Sequence, residues 1–170
     1  RQKQLSRIEE YDTAVQGLEN SDSEQYFAAA RAYNAELAKH STSFSESETD
    51  SRYDSLLNVD DSGIMGYITI PSINVKLPVY HSTRAEVLDI GAGHLYGSSL
   101  PVGGAGTHAV ISAHTGLPSA RLFTDVEKMQ VGDTFSLSVL DRELTYEVES
   151  IYIIEPSETS YLSVIPEGDY

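Results

Sequence analysis

Apolar residues recur through the first forty positions at a spacing that places them on one face of an α-helix. They form two sets on either side of the polar stretch 20–23: Leu5, Ile8, Tyr11, Val15 and Leu18, then Tyr26, Ala30, Tyr33 and Leu37. A repeat of three to four residues is the helical period, so the pattern predicts two N-terminal α-helices. Ser21 and Glu24 have the spacing of a capping box, which predicts the start of the second helix.

Residues 40–52 are almost entirely Ser, Thr, Glu and Asp, and Phe44 is the large apolar exception. Such a composition cannot supply a hydrophobic core, so it predicts a linker or a mobile loop. A lone aromatic residue in a polar loop is either incidental or a plug that covers a neighbouring surface. The sequence leaves both interpretations of Phe44 open.

After Gly63 the pattern changes to short β-branched runs bounded by Gly and Pro. These runs predict strands over 64–70, 73–79, 108–113, 134–140 and 144–154, with short helices over 84–88 and 119–128. Several short strands with few helices favour a sandwich or a barrel. We therefore expect a helical region over 1–39, a linker or lid-like loop over 40–54, and a β-domain over 55–170.

The composition fits a globular domain with an appendage, since the chain has 170 residues and is 40% hydrophobic. It carries 26 acidic and 11 basic side chains, a net charge of -15, which argues against nucleic acid and anionic lipid as partners. The acidic balance is more typical of solubility than of a specific partner. Cysteine is absent, so these residues contain no disulfide, thiolate metal site or cysteine nucleophile.

Neither a membrane-spanning run nor a signal peptide is predicted within this sequence. No apolar run approaches the roughly 20 residues of a membrane-spanning helix, and no signal peptide opens the sequence. The chain begins with Arg1 rather than Met and stops at Tyr170, in what the pattern indicates is the start of a strand. We therefore expect it to be part of a longer protein.

Five histidines are candidates for chemistry, because imidazole is the side chain that titrates near neutral pH without help. His40 lies in the polar linker, and His81 and His94 follow strand or turn segments, where we expect hydrogen-bonding roles. His108 opens a strand, and alternation places it on the same face as His114.

His114 follows directly on the apolar run 109–113 and precedes Thr115 and Gly116, so its imidazole lies at the mouth of a strand beside a turn. Strand ends carry many functional residues and many purely structural histidines, and position alone supports both interpretations equally. Ser112 lies on the same strand face as His114.

Two familiar kinds of site are not favoured. No His-Glu-x-x-His spacing occurs and no acidic residue stands near His114 in sequence, so we expect neither a metal nor a cofactor. A serine hydrolase would draw on Ser112 or Ser119, with His114 and Asp125. Neither serine has a Gly-x-Ser-x-Gly context, and Ser112 is only two residues from its base.

Three stretches stand in order along the β-region: IPSINVKLPVYH at 70–81, GAGHL at 91–95 with SSLPVGG at 98–104, and THAVISAHTGLPSARLFTD at 107–125. Together they resemble the pilin-polymerising class C sortases of Gram-positive bacteria, and their order and spacing match that family from about residue 55 to residue 170. A resemblance of that length is more specific than any single motif.

The resemblance implies a mostly β fold, an eight-stranded sortase-type β-barrel that is incomplete here, with two N-terminal α-helices. It implies a cysteine transpeptidase that cleaves the Thr-Gly bond of an LPxTG-like sorting signal. The resulting thioester is resolved by a lysine amine of another pilin subunit. His114 matches the family's catalytic histidine and would protonate the departing amine. Ser112 would either line the peptide channel or fill space.

The chain also departs from the family's pattern. The Thr-Leu-x-Thr-Cys strand of the family would begin close to Tyr170 and its catalytic arginine lies further on, so this chain alone is expected to be inactive. Arg121 and Arg142 do not stand at the arginine position. The family's lid carries Asp-Pro-aromatic, whereas here Ser43 precedes Phe44. Phe44 is a candidate lid residue.

The resemblance implies an enzyme on the extracellular face of the Gram-positive cell membrane, with a membrane tether outside this segment. Its expected partners are pilin subunits that bear LPxTG-like signals and an acceptor lysine. The alternative is a non-catalytic sortase-like barrel that binds sorting-signal peptides or pilins. A barrel without its last strands would keep an open edge, which a stable natural module avoids, so the enzyme is favoured.

Overall fold

The computed structural model describes residues 2–39, 50–115, 122–162 and 168–170. The helices over these residues are α1 (Gln2–Gln16), α2 (Asn20–Leu37), α3 (Ser51–Ser55) and α4 (Ala85–Leu88). The strands are β1 (Ile64–Ile70), β2 (Val75–His81), β3 (Ala92–His94), β4 (Ile111–Ser112), β5 (Thr134–Val139) and β6 (Arg142–Glu147). Short 3-10 turns span Pro71–Ile73, Val126–Lys128 and Thr159–Leu162. No helix in these ranges is both long and apolar enough to cross a membrane.

The six strands form one curled sheet, a half-barrel, in the order β4-β3-β2-β1-β5-β6. Neighbouring strands are antiparallel except β2 and β3, which run parallel and are joined by a crossover that contains α4. The prediction of a mostly β barrel-type fold behind two N-terminal helices is confirmed, with six strands in the described ranges. The division at residues 39 and 54 stays a prediction.

Gly93 allows β3 to lie close against the end of β2. A Cβ atom at this position would collide with the carbonyl oxygen of Ser82, which directly follows β2. Only glycine lacks that atom, so the backbone of β3 can approach here without displacing its neighbour.

Helix α1 is attached to the sheet through the fully buried Tyr11. The Tyr11 hydroxyl donates to the carbonyl of Met65 at 3.3 Å and accepts from the amide of Leu140 at 2.8 Å. Leu140 has a φ of 55°, so the turn between β5 and β6 has left-handed backbone at the point where Tyr11 binds it. Burial raises the pKa of Tyr11, and the phenol stays protonated and able to donate.

A buried hydrogen-bonded network connects α3 with the sheet through Tyr53 and His94, which are 2% and 0% exposed. The Tyr53 hydroxyl lies 2.7 Å from His94 Nδ1 and accepts from the amide of Ser82 at 3.1 Å. His94 Nε2 lies 2.7 Å from the Ser99 carbonyl and 3.0 Å from Ser98 Oγ. A carbonyl can only accept, so the ring proton belongs on Nε2 and Nδ1 accepts from Tyr53.

The expectation that His81 and His94 form hydrogen bonds is confirmed. The two ring nitrogens of His81 lie 2.7 Å from the carbonyl of Gly63 and 2.6 Å from that of Leu56. Burial in the network lowers the pKa of His94 to about 4, because a charged imidazolium would lose its hydration there.

Two strand predictions were too long. The strand predicted over 108–113 is reduced to β4, because the amides of His108 and Val110 donate to the hydroxyls of Ser99 and Ser98 instead of to strand carbonyls. The strand predicted to reach residue 154 ends at Glu147. Glu147 pairs with Thr134, the first residue of β5, so the residues after Val148 have no β5 residue opposite them.

Other boundaries also differ. Asn74, at a φ of 53°, ends a 3-10 turn and delays β2 to Val75. The capping box was wrong: α2 begins at Asn20 and is preceded by Glu19, which makes no side-chain cap, so Ser21 lies inside the helix. The helix predicted over 119–128 appears as the 3-10 turn Val126–Lys128, and residues 116–121 lie outside the described ranges. Helix α3 was not predicted. Phe44 also lies outside the described residues.

Replacing Tyr11 by Phe removes the hydroxyl that bridges α1 to the rest of the fold. We expect Tyr11→Phe to lower the free energy of unfolding by about 1–3 kcal/mol, because the buried Leu140 amide loses its acceptor. Urea denaturation measures the change. The matched control is Tyr152→Phe, whose ring is 61% exposed, and it should stay within about 0.5 kcal/mol of wild type. Equal losses in the two variants would contradict this role for Tyr11.

The buried His94 makes the stability depend on pH. In the unfolded chain His94 takes up a proton near its ordinary pKa of 6.5, and in the folded chain only near 4. Between these values the unfolded state binds more protons, so the free energy of unfolding falls as the pH falls from about 6.5 to about 4. The full effect is on the order of 3 kcal/mol.

Urea titrations at several pH values measure this dependence, and His94→Gln serves as the control because its amide does not titrate. The carboxylates contribute equally to both proteins, so the difference between their pH profiles isolates His94. Parallel profiles over this window would show that His94 does not cause the effect.

Candidate functional site

The segment 104–115 carries His114 and is held along one edge by β3 and the loop that follows it. β4 pairs with β3, so that Ile111 lies opposite His94. The pairing continues in the loop, where the Leu95 amide donates to the Val110 carbonyl at 2.9 Å. The Ser99 amide donates to the His108 carbonyl, also at 2.9 Å. The segment therefore follows an extended path over more residues than β4 itself.

Along the other edge, residues 168–170 run parallel to the same segment. Asp169 forms a parallel bridge with Thr107, and the Tyr170 amide donates to the Thr107 carbonyl at 3.1 Å. The Ala109 amide in turn donates to the Tyr170 carbonyl at 2.8 Å. The Asp169 carboxylate accepts from the Gly104 amide at 2.9 Å and fixes the start of this pairing. The pairing agrees with the interpretation that a strand starts at Tyr170.

His114 combines a fixed backbone with an exposed imidazole. It stands two residues after β4, and its carbonyl accepts from the amide of Phe123 at 3.0 Å. Phe123 is half-buried against the core and follows Leu122, which is 1% exposed. An imidazole that contacts solvent on a fixed backbone can exchange a proton with a bound substrate.

Ser112 is half-buried in β4, next to Ile111. Alternation along an extended chain places Ser112 on the opposite face from Ile111 and on the same face as His114. The shared face of Ser112 and His114 stays a prediction. A role for Ser112 in binding substrate stays a prediction.

An apolar cavity of about 250 Å³ lies on the face to which Ile111 points. The residues that line it come from β1, β4, β5, β6 and the segments beside them: Ile68, Ile70, Ala109, Ile111, Phe123, Val126, Met129, Phe135, Leu137, Tyr146, Val148 and Tyr170. Burial raises the pKa of Tyr146 to about 12, and its ring stacks on that of Phe135 at 5.5 Å. The cavity was not predicted from the sequence, although the apolar runs that form β1 and β5 were.

The other sequence candidates make ion pairs or ring contacts of their own or lie outside the described ranges. The Asp125 carboxylate pairs with Lys128 at 3.0 Å, so it is engaged on its own turn. Arg142 pairs with Glu24 at 2.5 Å, and its guanidinium lies 4.0 Å from the ring centroid of Phe27. These contacts give Arg142 a structural role between α2 and β6.

His108 lies beside the C-terminal residues, with its ring 5.8 Å from that of Tyr170. Three further candidates, Phe44, Ser119 and Arg121, are outside the described ranges. Of the residues nominated for chemistry, His108, Ser112 and His114 all lie on the segment 104–115.

Residues 68–169 match the model of the sortase domain family. Sortase D of Bacillus subtilis is 29% identical over 104 residues, and this chain spans half the length of that relative. Solved structures extend the similarity to 96% of this chain. Sortase C1 of Streptococcus agalactiae is 40% identical with a TM-score of 0.89 over 86% of its length. Sortase C of Streptococcus pneumoniae is 37% identical with a TM-score of 0.88 over 84% of its length.

Both the sequence match and the backbone similarity include the segment that bears His114 and the strands around it. The family model covers more than half of the chain, and the similar sortase C structures also cover α1 and α2. The chain therefore belongs to the sortase family, within the class C sortases.

Proposed function

We propose that this chain is the histidine-bearing part of a cysteine transpeptidase that joins pilin subunits. The observation that carries the proposal is the placement of His114, which is exposed on a segment whose residues 107–109 pair in parallel with residues 168–170. The similar sortase C of Streptococcus pneumoniae is described in terms of catalysis and pilin substrate specificity, which supports the pilin as substrate.

The proposed reaction consists of two acyl transfers. A cysteine thiolate attacks the carbonyl carbon of Thr in an LPxTG-like sorting signal, and the Thr-Gly bond breaks as His114 gives a proton to the departing Gly amine. A lysine amine of another pilin then attacks the thioester. It loses a proton to the imidazole, the thiolate leaves, and an isopeptide bond remains.

The nucleophile of the proposed reaction stands outside these 170 residues, which contain no cysteine. The register beside Thr107 indicates where it would lie. Asp169 is opposite Thr107, and a parallel strand that keeps this register reaches the level of His114 about seven residues after Asp169. A nucleophile there would be a close neighbour of the exposed imidazole.

The proposal includes a location on the extracellular face of the Gram-positive cell membrane, with the tether outside this segment. It also includes an arginine beyond Tyr170 that stabilises the oxyanion by its fixed positive charge. Ser112 is proposed to contact the bound peptide, since it shares the strand face of His114.

We expect the reading frame that encodes this chain to continue past Tyr170 with a cysteine about six residues later, within about two positions, because the parallel register sets that distance. Sequencing of the gene checks this. A continuation with no cysteine would remove the catalytic proposal and would leave the alternative, a barrel that binds sorting signals without cleaving them.

Replacing His114 by Ala in the full-length protein should lower kcat/KM for cleavage of an LPxTG-type peptide by at least about 100-fold, because the departing amine loses its proton donor. Formation of pilin polymers should be lost in parallel. Ser112→Ala is the comparison on the same strand. We expect it to raise KM a few-fold with little change in kcat, as the loss of one neutral hydrogen bond does. Wild-type activity in His114→Ala would refute the role given to His114.

A further inference from the structure

The imidazole of His94 is buried between helix α3 and the segment that carries His114, and nothing in the proposed reaction uses it. It contacts Tyr53 of α3 on one side and the two serines of the 95–100 loop on the other. A fully buried polar side chain with every ring nitrogen engaged restricts its partners to one arrangement.

The helices hold the 95–100 loop at two further points. Tyr96 donates from its hydroxyl to the Asp50 carboxylate at 2.9 Å, and that carboxylate also caps α3. Asn34 of α2 binds both backbone groups of Leu100, donating to its carbonyl at 3.1 Å and accepting from its amide at 2.7 Å. The loop is therefore part of the rigid contact between the helices and the sheet.

The same loop also binds the backbone just before β4, where its serine hydroxyls take the place of strand carbonyls. Ser98 Oγ accepts from the Val110 amide at 3.2 Å, and Ser99 Oγ accepts from the His108 amide at 2.9 Å. His94 Nε2 lies within hydrogen-bond distance of both serines. The imidazole thus contacts the Ser98 hydroxyl directly and holds Ser99 through its backbone carbonyl. The hydroxyls of these two serines in turn bind the backbone that leads to His114.

We infer that His94 is a positioning residue for His114, acting through Ser98 and Ser99 on the backbone of residues 108–112. The inference rests on the proposed function of His114 as the proton donor. Small displacements of a catalytic group reduce the rate of the chemical step much more than they reduce substrate binding. A residue that only fills the core would affect folding stability and not the chemical step.

The two ring nitrogens of His94 can be tested separately, because two amide side chains each imitate one of them. In His94→Gln the amide nitrogen can take the place of Nε2 and donate to the Ser99 carbonyl. In His94→Asn the amide oxygen can take the place of Nδ1 and accept from Tyr53, but nothing reaches Ser99. The inference assigns the positioning role to the Ser99 side, so the two variants should differ.

The test compares these variants in the full-length protein by peptide cleavage. We expect His94→Asn to lower kcat at least about 10-fold with KM within about twofold, and His94→Gln to keep kcat within about threefold of wild type. Hydrogen exchange of the His108 and Val110 amides should become at least about 10-fold faster in His94→Asn only, because their acceptors lose their fixed positions. Tyr152→Phe is the exposed control and should match wild type in both measurements.

Equal kcat values for His94→Gln and His94→Asn would overturn the inference. A decrease in kcat that is proportional to each variant's loss of unfolding free energy in urea would also overturn it. If His94→Asn does not fold, Ser99→Ala takes its place, and a wild-type kcat in that variant would also overturn it. If His114→Ala is inactive and His94→Asn is fully active, the positioning role of His94 is refuted and the proposed function of His114 stands. An active His114→Ala would refute the proposed function, whereas amide exchange would still report whether His94 holds the segment.

Discussion

The hydrogen bond between the Tyr53 hydroxyl and the His94 imidazole is the constraint on which the arrangement of the site depends. The Ser82 amide donates to Tyr53, Tyr53 donates to Nδ1, and Nε2 donates to the Ser99 carbonyl, so every donor in the series has an acceptor. All of these groups are buried, and breaking one link would leave a polar group without water at a cost of about 1–3 kcal/mol. The end of β2, β3, α3 and the 95–100 loop are therefore held as one unit beside the segment of His114.

Much of the framework could be predicted from local pattern. Strand β1 matches its predicted bounds and β5 ends one residue earlier than predicted, because a short β-branched run bounded by turn residues is a local signal. The helical period of the first forty residues likewise predicted α1 and α2. His114 is a different case. Its position in the sequence left a structural role equally open, and the resemblance of residues 107–125 to a family supplied the functional assignment.

The remaining features depend on contacts between residues far apart in sequence, which a local pattern cannot reveal. Tyr53 and His94 are separated by 41 positions, and Asn34 and Leu100 by 66. β4 is short for the same reason. The hydroxyls of the 95–100 loop accept the hydrogen bonds that the carbonyls of a neighbouring strand would otherwise accept. Helix α3 has only five residues and depends on the Asp50 cap and on tertiary packing, so its sequence carries too few residues to show a helical period.

All histidines have the same side chain, and their surroundings decide which one can act as the proton donor. Burial lowers the pKa of His94 to about 4, so its ring is uncharged near neutral pH. The one ring proton, on Nε2, is donated to the Ser99 carbonyl. His81 is buried with both ring nitrogens beside backbone carbonyls, so a substrate cannot reach them. His114 is exposed, and its backbone carbonyl accepts a hydrogen bond from the Phe123 amide. A general acid needs a proton that substrate can reach in a fixed position, and that requirement favours His114 over the buried pair.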